Sequence, residues 1–246
     1  MKNLIMVTIL LLVRHFVGAQ NKWESCSTAE FSNAIITVEQ LVMDKSSYSY
    51  ETDYLFFDQV DGTTPIIQEH AYLICEKGET FYIEQFGKTI LQDALVQVEI
   101  DPIYHTIVLR DPLPEYTKRR TLADFSALDM PGASIKKKTT DGKQSFYITF
   151  PDGQLYVGAE VTLGGPMGIT RYVLYAKPTM VENENGAIVS TQPRMEVTYK
   201  SFRKGNQAKT SQIKYTAHYL TLNGSHYTLN EEYKNYELID LRSQPE

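Results

Sequence analysis

Two periods of apolar residues alternate along the chain. Phe31, Ile35, Val38 and Val42 recur at helical spacing, joined by Ala34 and Leu41, while Glu30, Asn33, Thr37, Gln40 and Lys45 fill the other side. This predicts an amphipathic helix over about 27–45. Ser27-Thr28-Ala29-Glu30 has capping-box spacing, in which Ser27 accepts from the backbone and Glu30 reaches back. From residue 47 the period becomes two. Tyr48, Tyr50, Thr52, Tyr54 and Phe56 fall on one strand face, and Ser47, Ser49, Glu51 and Asp53 on a second, wet face. Turn signals follow at Asp61-Gly62, Lys77-Gly78 and Gly87, between strands expected at 66–76, 80–86, 96–100 and 103–110. Residues 47–110 thus read as a first antiparallel meander.

The alternation breaks at 111–134. Asp111-Pro112-Leu113-Pro114 ends the sheet segment, and Leu122, Phe125, Ala127 and Leu128 predict a helical insert over about 121–130, stopped by Pro131-Gly132. A second meander spans about 134–241. Asp141-Gly142 and Asp152-Gly153 mark its first turns, and Asn223-Gly224 joins expected strands at 212–222 and 225–229 as a type I′ turn would. A last strand is expected at 236–241. No linker rich in Pro, Gly or Ser and no repeat divides residues 20–246, which read as a single mostly β domain of the α+β class.

The first residues change the picture of where this domain works. Lys2, an apolar run from Leu4 to Val13, and Val17-Gly18-Ala19 have the order of a secretory signal peptide over residues 1–19. Arg14 and His15 interrupt the run before it reaches the ~20 residues a spanning helix needs. Cleavage removes Lys2 and Arg14 and takes the formal charge from −6 to −8. An acidic chain with only two short basic runs, Lys118-Arg119-Arg120 and Lys136-Lys137-Lys138, argues against nucleic acid as a partner. The expectation is a soluble periplasmic or secreted protein, without an anchor after cleavage, in a bacterial envelope. Cys26 and Cys75 form a candidate disulfide in such a compartment, the alternative being two buried thiols that never meet.

Catalytic signatures are missing. There is no HExxH, GxSxG, P-loop or GxGxxG, and no histidine spacing typical of a metal site. His218 and His226 flank the Asn223-Gly224 turn and would be hairpin neighbours. Asp101 and Glu99 could join another acid in glycosidic hydrolysis, a minor alternative that no spacing selects. No cofactor is implied. Aromatic content stands out instead, with 17 tyrosines and 10 phenylalanines against one tryptophan. Tyrosines on alternating strand positions suit ordinary cross-strand pairing or, alternatively, a cavity for an amphiphile.

The helix at Phe31 leading into Tyr48–Phe57, then Ala71-Tyr72-Leu73-Ile74-Cys75-Glu76-Lys77-Gly78, then Val96–Asp101 with Tyr104–Arg110, and later Gln192-Pro193-Arg194-Met195-Glu196-Val197-Thr198-Tyr199, give an order of elements over about 27–200. That order is similar to the periplasmic outer-membrane lipoprotein carrier family. The resemblance implies a curved sheet or unclosed half-barrel under two helices, and a non-enzymatic protein sheltering an acyl chain or lipidated partner. The arginine with which those carriers hold the lid shut has no counterpart that we can place, and strands after 200 are additional. Strand alternation then nominates Phe31, Ile35, Val38, Tyr54, Phe56, Tyr72, Ile74, Leu122 and Phe125 as ligand-binding residues. A cell-envelope structural or protein-interaction module is the alternative.

Overall fold

A computed structural model describes residues 22–42, 47–77, 80–113, 132–164, 168–182 and 185–243. The signal segment and the helical insert with Leu122 and Phe125 lie outside these residues, as does the side chain of Val38. The elements are β1 (Glu24–Cys26), α1 (Thr28–Val42), β2 (Tyr48–Phe57), β3 (Ile67–Glu76), β4 (Thr80–Gln85), β5 (Lys88–Gln92), β6 (Gln97–Asp101), β7 (Thr106–Arg110), β8 (Ser134–Thr140), β9 (Lys143–Thr149), β10 (Tyr156–Leu163), β11 (Ile169–Ala176), β12 (Thr179–Glu182), β13 (Ile188–Thr191), β14 (Arg194–Lys204), α2 (Thr216–Tyr219), β15 (Leu220–Asn223), β16 (His226–Leu229) and β17 (Glu237–Asp240). The main sheet runs β1-β8-β9-β10-β11-β14-β2-β3-β4-β5-β6-β7-β17 and does not close, since β1 and β17 are edges. It is mostly antiparallel, with β17 parallel to β7. Contacts divide the chain into unit 1 (residues 1–38, 56–66 and 124–197) and unit 2 (39–55, 67–123 and 198–246).

In unit 1, residues opposite each other on antiparallel strands share a face. Ile135, Ile148 and Ala159 align across β8, β9 and β10, and Phe146 lies opposite Val161. This face is sealed by the first half of α1. Phe31 is fully buried and meets Phe146 edge-on at 5.0 Å, and Ile35 is also buried. Burial of one such ring contributes about 1.5–3 kcal/mol. The helix starts where the sequence indicates, with the Glu30 N–H donating to Ser27 Oγ at 3.1 Å. Only half of the capping box forms, because the Glu30 carboxylate pairs with Lys137.

Arg194 fixes another part of unit 1. Its guanidinium donates to the carbonyls of Gln59, Val60 and Gly62 at 2.7–2.8 Å, pairs with Glu196 at 2.8 Å and lies 3.8 Å from the Phe57 ring. Glu196 also accepts from Arg171 at 2.7 Å. A planar fork with five donors is what three carbonyls and a carboxylate require.

Unit 2 buries one sheet face against its own C-terminal segment. Ile74, Tyr82, Leu91, Val98 and Leu109 lie under Ile213, Tyr219, Leu220 and Tyr233, with Tyr72, Tyr227, Tyr236 and Leu238 packed around them. This covering corrects two sequence expectations. The predicted strand at 212–222 is a 3₁₀ turn at Thr210–Gln212, the short α2, and β15. Ile213 and Tyr219 pack down onto the sheet, so these residues cannot also pair along its edge. The expected wet face of β2 is covered as well. Ser49 is 1% exposed and accepts from the Lys209 N–H, and Lys209 Nζ pairs with Glu51 at 3.1 Å.

Two further expectations change. The turn after β15 has a positive φ at Gly224 and none at Asn223, and Asn223 pairs with His226. The two-residue loop is therefore Gly224-Ser225 in the type II′ pattern. Cys26 and Cys75 do not form the candidate disulfide in this structure. Each is held in its own ladder, Cys26 opposite Ile135 and Cys75 opposite Phe81.

Candidate functional site

The other face of unit 2 is aromatic. Tyr48, Tyr50 and Tyr54 alternate along β2, and Cys75 pairs with Phe81 across β3 and β4, followed by Ile83. Tyr199 meets Tyr50 at 6.0 Å and Phe202 meets Tyr48 at 6.3 Å. These two are three residues apart on β14, yet both face the same way because Ser201 between them has φ +50°, a bulge that resets the alternation. Tyr48, Tyr50, Cys75, Phe81 and Ile83 are all buried. Burial, reinforced by Tyr48, Tyr199, Tyr54 and Cys75 around it, pushes the Tyr50 hydroxyl well above the usual phenol range. Burial raises Tyr54 too. This part of the face is therefore uncharged at any physiological pH.

Its rim is unusual. Phe86 and Gly87 form the two-residue turn between β4 and β5, with φ of +50° and +72°. Both central residues of a type I′ turn need positive φ, which favours Asn, Asp or Gly and penalises a bulky ring. The Phe86 ring is 44% exposed and stands 5.1 Å from Tyr54. Ile103, in the β6–β7 turn, approaches Gly87 and is also exposed.

Toward β5–β7 the same face becomes polar. Lys88 pairs with Glu99 at 3.0 Å and with Asp101 at 3.1 Å, and Arg110 lies 3.6 Å from Glu99. Gln92 is buried and exchanges two hydrogen bonds with the Leu113 backbone. Asp101 accepts from the N–H groups of Ile103 and Tyr104. Burial raises its carboxyl, but these donors and Lys88 outweigh it and hold it below the ordinary value. Glu99 and Asp101 thus serve a turn and an ion network, and Asp101 lacks the raised pKa of a general acid. One sheet face offers an aromatic half and a charged strip, the two halves of an amphiphile.

The nominated residues divide among several places. Tyr54 lies on the aromatic face. Phe56 is half-buried in unit 1, where Phe31 and Ile35 fill the core under α1. Tyr72 and Ile74 point to the covered face of unit 2, beneath the C-terminal segment. Phe86 and Phe202 were missed. An aromatic residue before glycine in a two-residue turn was the available signal for Phe86, and Phe202 carried none because its orientation depends on the bulge. His218 and His226 are separated by register, since His226 faces Asn223 and His218 Nε2 lies 3.1 Å from the Tyr233 hydroxyl. A cavity of about 240 Å³ lies elsewhere in unit 2, between Leu95, Leu222, Tyr227 and Arg242. Among the described residues no helix is long and apolar enough to cross a membrane.

The chain is thus an α+β protein with an unclosed, mostly antiparallel sheet and an aromatic sheet face. Among solved structures it is similar to an uncharacterized conserved protein from Thermus thermophilus, at 8% identity over 85% of this chain and 98% of that one, with a TM-score of 0.44. It is also similar to a LolA superfamily protein from Nitrosomonas europaea, at 8% identity over 74% and 97%, with a TM-score of 0.32. A candidate outer membrane lipoprotein-sorting protein domain from Vibrio parahaemolyticus matches at 8% identity over 73% and 94%, with a TM-score of 0.30. No family model and no curated protein matches the sequence.

Proposed function

We propose that this is an exported, non-enzymatic binding protein that shelters an acyl chain, free or on a lipidated partner, against the aromatic face of unit 2. The carrying observation is Phe86. An aromatic ring is kept in a strained turn, half exposed and against Tyr54, where Asn would fold with less strain. Backbone strain of this kind is retained where the side chain serves a purpose. The acyl chain lies along Tyr54 and Phe86, at the accessible edge of the buried aromatic face, and its polar end meets the strip of Lys88, Glu99 and Arg110. The signal segment at 1–19 supports a periplasmic or secreted location.

The test compares the exported protein with Phe86→Asn. Organic extraction and mass spectrometry of the wild type are expected to release a lipid, and a fluorescent fatty acid is expected to bind saturably. Phe86→Asn is expected to keep or raise the thermal midpoint, because Asn tolerates the left-handed conformation. It is expected to weaken the probe roughly five-fold or more, by removing one apolar contact worth about 1–2 kcal/mol. Absence of lipid together with absence of probe binding contradicts the proposal. A protein-interaction role then gains ground from the exposed Val60, Ile66, Met180, Val181 and Ile188 of unit 1.

A further inference from the structure

The face of unit 1 turned away from α1 has its own composition. Lys137 points toward α1 and pairs with Glu30, so the lysines on either side of it, Lys136 and Lys138, point the other way. Lys143, opposite Thr140 across the β8–β9 turn, shares their side of the hairpin. On the same face Trp23 and Tyr147 meet at 6.1 Å, and Tyr147 and Tyr175 at 5.9 Å. Lys138 Nζ sits 4.4 Å over the Trp23 ring. All three rings are half-buried, while Lys136 and Lys143 are exposed. Burial pushes the Tyr175 hydroxyl up to about 12, so it stays neutral. Among the described residues of this face, Arg171 is matched by Glu196, and Glu160, opposite Tyr147, is the remaining acid.

We infer that this face docks the protein on the surface of an anionic phospholipid bilayer. The charge argument comes first. A chain of net charge −6 places three lysines together with Glu160 as the remaining acid among the described residues of this face. Lysines near an anionic leaflet contribute about 1 kcal/mol each. The rings come second. Trp and Tyr combine an apolar body with a polar edge and settle at the headgroup level of a bilayer. Here the only tryptophan of the chain stands in line with two tyrosines among the lysines. A soluble polyanion would use the lysines and leave the rings idle. A neutral bilayer would use the rings and leave the lysines idle. The inference concerns unit 1 and does not depend on acyl-chain binding by unit 2.

Trp23, as the only tryptophan, reports on the contact. The exported protein is mixed with vesicles of phosphatidylglycerol and phosphatidylcholine, and with phosphatidylcholine alone. A blue shift of tryptophan emission and co-flotation are expected with the first and not the second, both weakening as salt rises. Lys136→Glu with Lys143→Glu is expected to weaken flotation roughly ten-fold or more. It leaves Lys138 over the ring, and it should leave the circular dichroism spectrum and fatty-acid binding unchanged. Trp23→Ala is expected to weaken flotation without abolishing its salt dependence. Equal binding to both vesicles overturns the inference. So does binding of heparin as tight as that of vesicles without a tryptophan shift, which would make the face a general polyanion site.

Discussion

The Arg194 side chain is only 10% exposed, beside Glu196 at 13%. Burying either ion alone would cost several kcal/mol, so the three carbonyls of the 59–62 loop and the second arginine are what make the pair tolerable. Arg194→Met is expected to lower unfolding free energy by about 3–5 kcal/mol in urea titration, because Glu196 loses a partner and three carbonyls lose a donor. Arg194→Lys should recover little, as an ammonium cannot span that set. Glu196 also sets a pH dependence. Burial raises its carboxyl, and the hydrogen bonds from Arg171 and Arg194 outweigh burial and bring it below the ordinary value of 4.5. A depressed folded pKa stabilises the fold above the unfolded value, and that stability is lost as pH falls through the folded one. Acid unfolding below about pH 4.5 should therefore be shallower in Glu196→Gln than in the wild type. Identical acid limbs would show that Glu196 does not contribute.

At the scale of elements, β10 is placed by Gly158. A side-chain carbon there would sit 2.5 Å from the Ile148 carbonyl oxygen and 3.3 Å from the Tyr147 hydroxyl. The first contact is backbone and cannot swing away. Gly158→Ala is expected to cost about 1–3 kcal/mol by urea midpoint, and removing the ring in Tyr147→Ala should not restore it. Recovery in the double variant would mean that the ring, not the ladder, demands glycine. The sequence made several elements legible for local reasons. Ser27 starts α1, and Asp141-Gly142 turns with φ of +51° and +74°, as a type I′ hairpin demands. Alternation located β2 and β3 to within a residue or two. What alternation cannot say is what covers a face. Ser49 and Glu51 look solvated by period alone, yet residues 205–213 lie over them. Ile213 and Tyr219 read as strand residues because a segment packing on a sheet also needs apolar side chains. The parallel pairing of β17 with β7 joins elements more than a hundred residues apart, beyond the reach of any turn signal.

On the scale of the whole molecule, the first helix and the alternating strands before residue 111 and after 134 were readable, and the unclosed, mostly antiparallel sheet agrees with the half-barrel that the resemblance implies. The candidate binding face was readable only in part. Tyr54 and Ile74 both belong to strongly patterned strands, but Ile74 lies on the face that the C-terminal segment fills, while Tyr54 lies on the aromatic one. Residues after 200 supply that filling. Unit 2 thus has one face covered by its C-terminal segment and a second face, buried over Tyr50 and Phe81, whose aromatic half ends at the exposed Phe86 and whose charged half begins at Lys88. Acyl-chain binding on that second face is the central claim. The most direct measurement is photo-crosslinking of the protein with a diazirine fatty acid, followed by peptide mapping. The account predicts saturable labelling of peptides covering 48–57 and 80–86, reduced in Phe86→Asn. Labelling concentrated on residues 205–236 or around Leu95 and Leu222, or no saturable labelling at all, would contradict it.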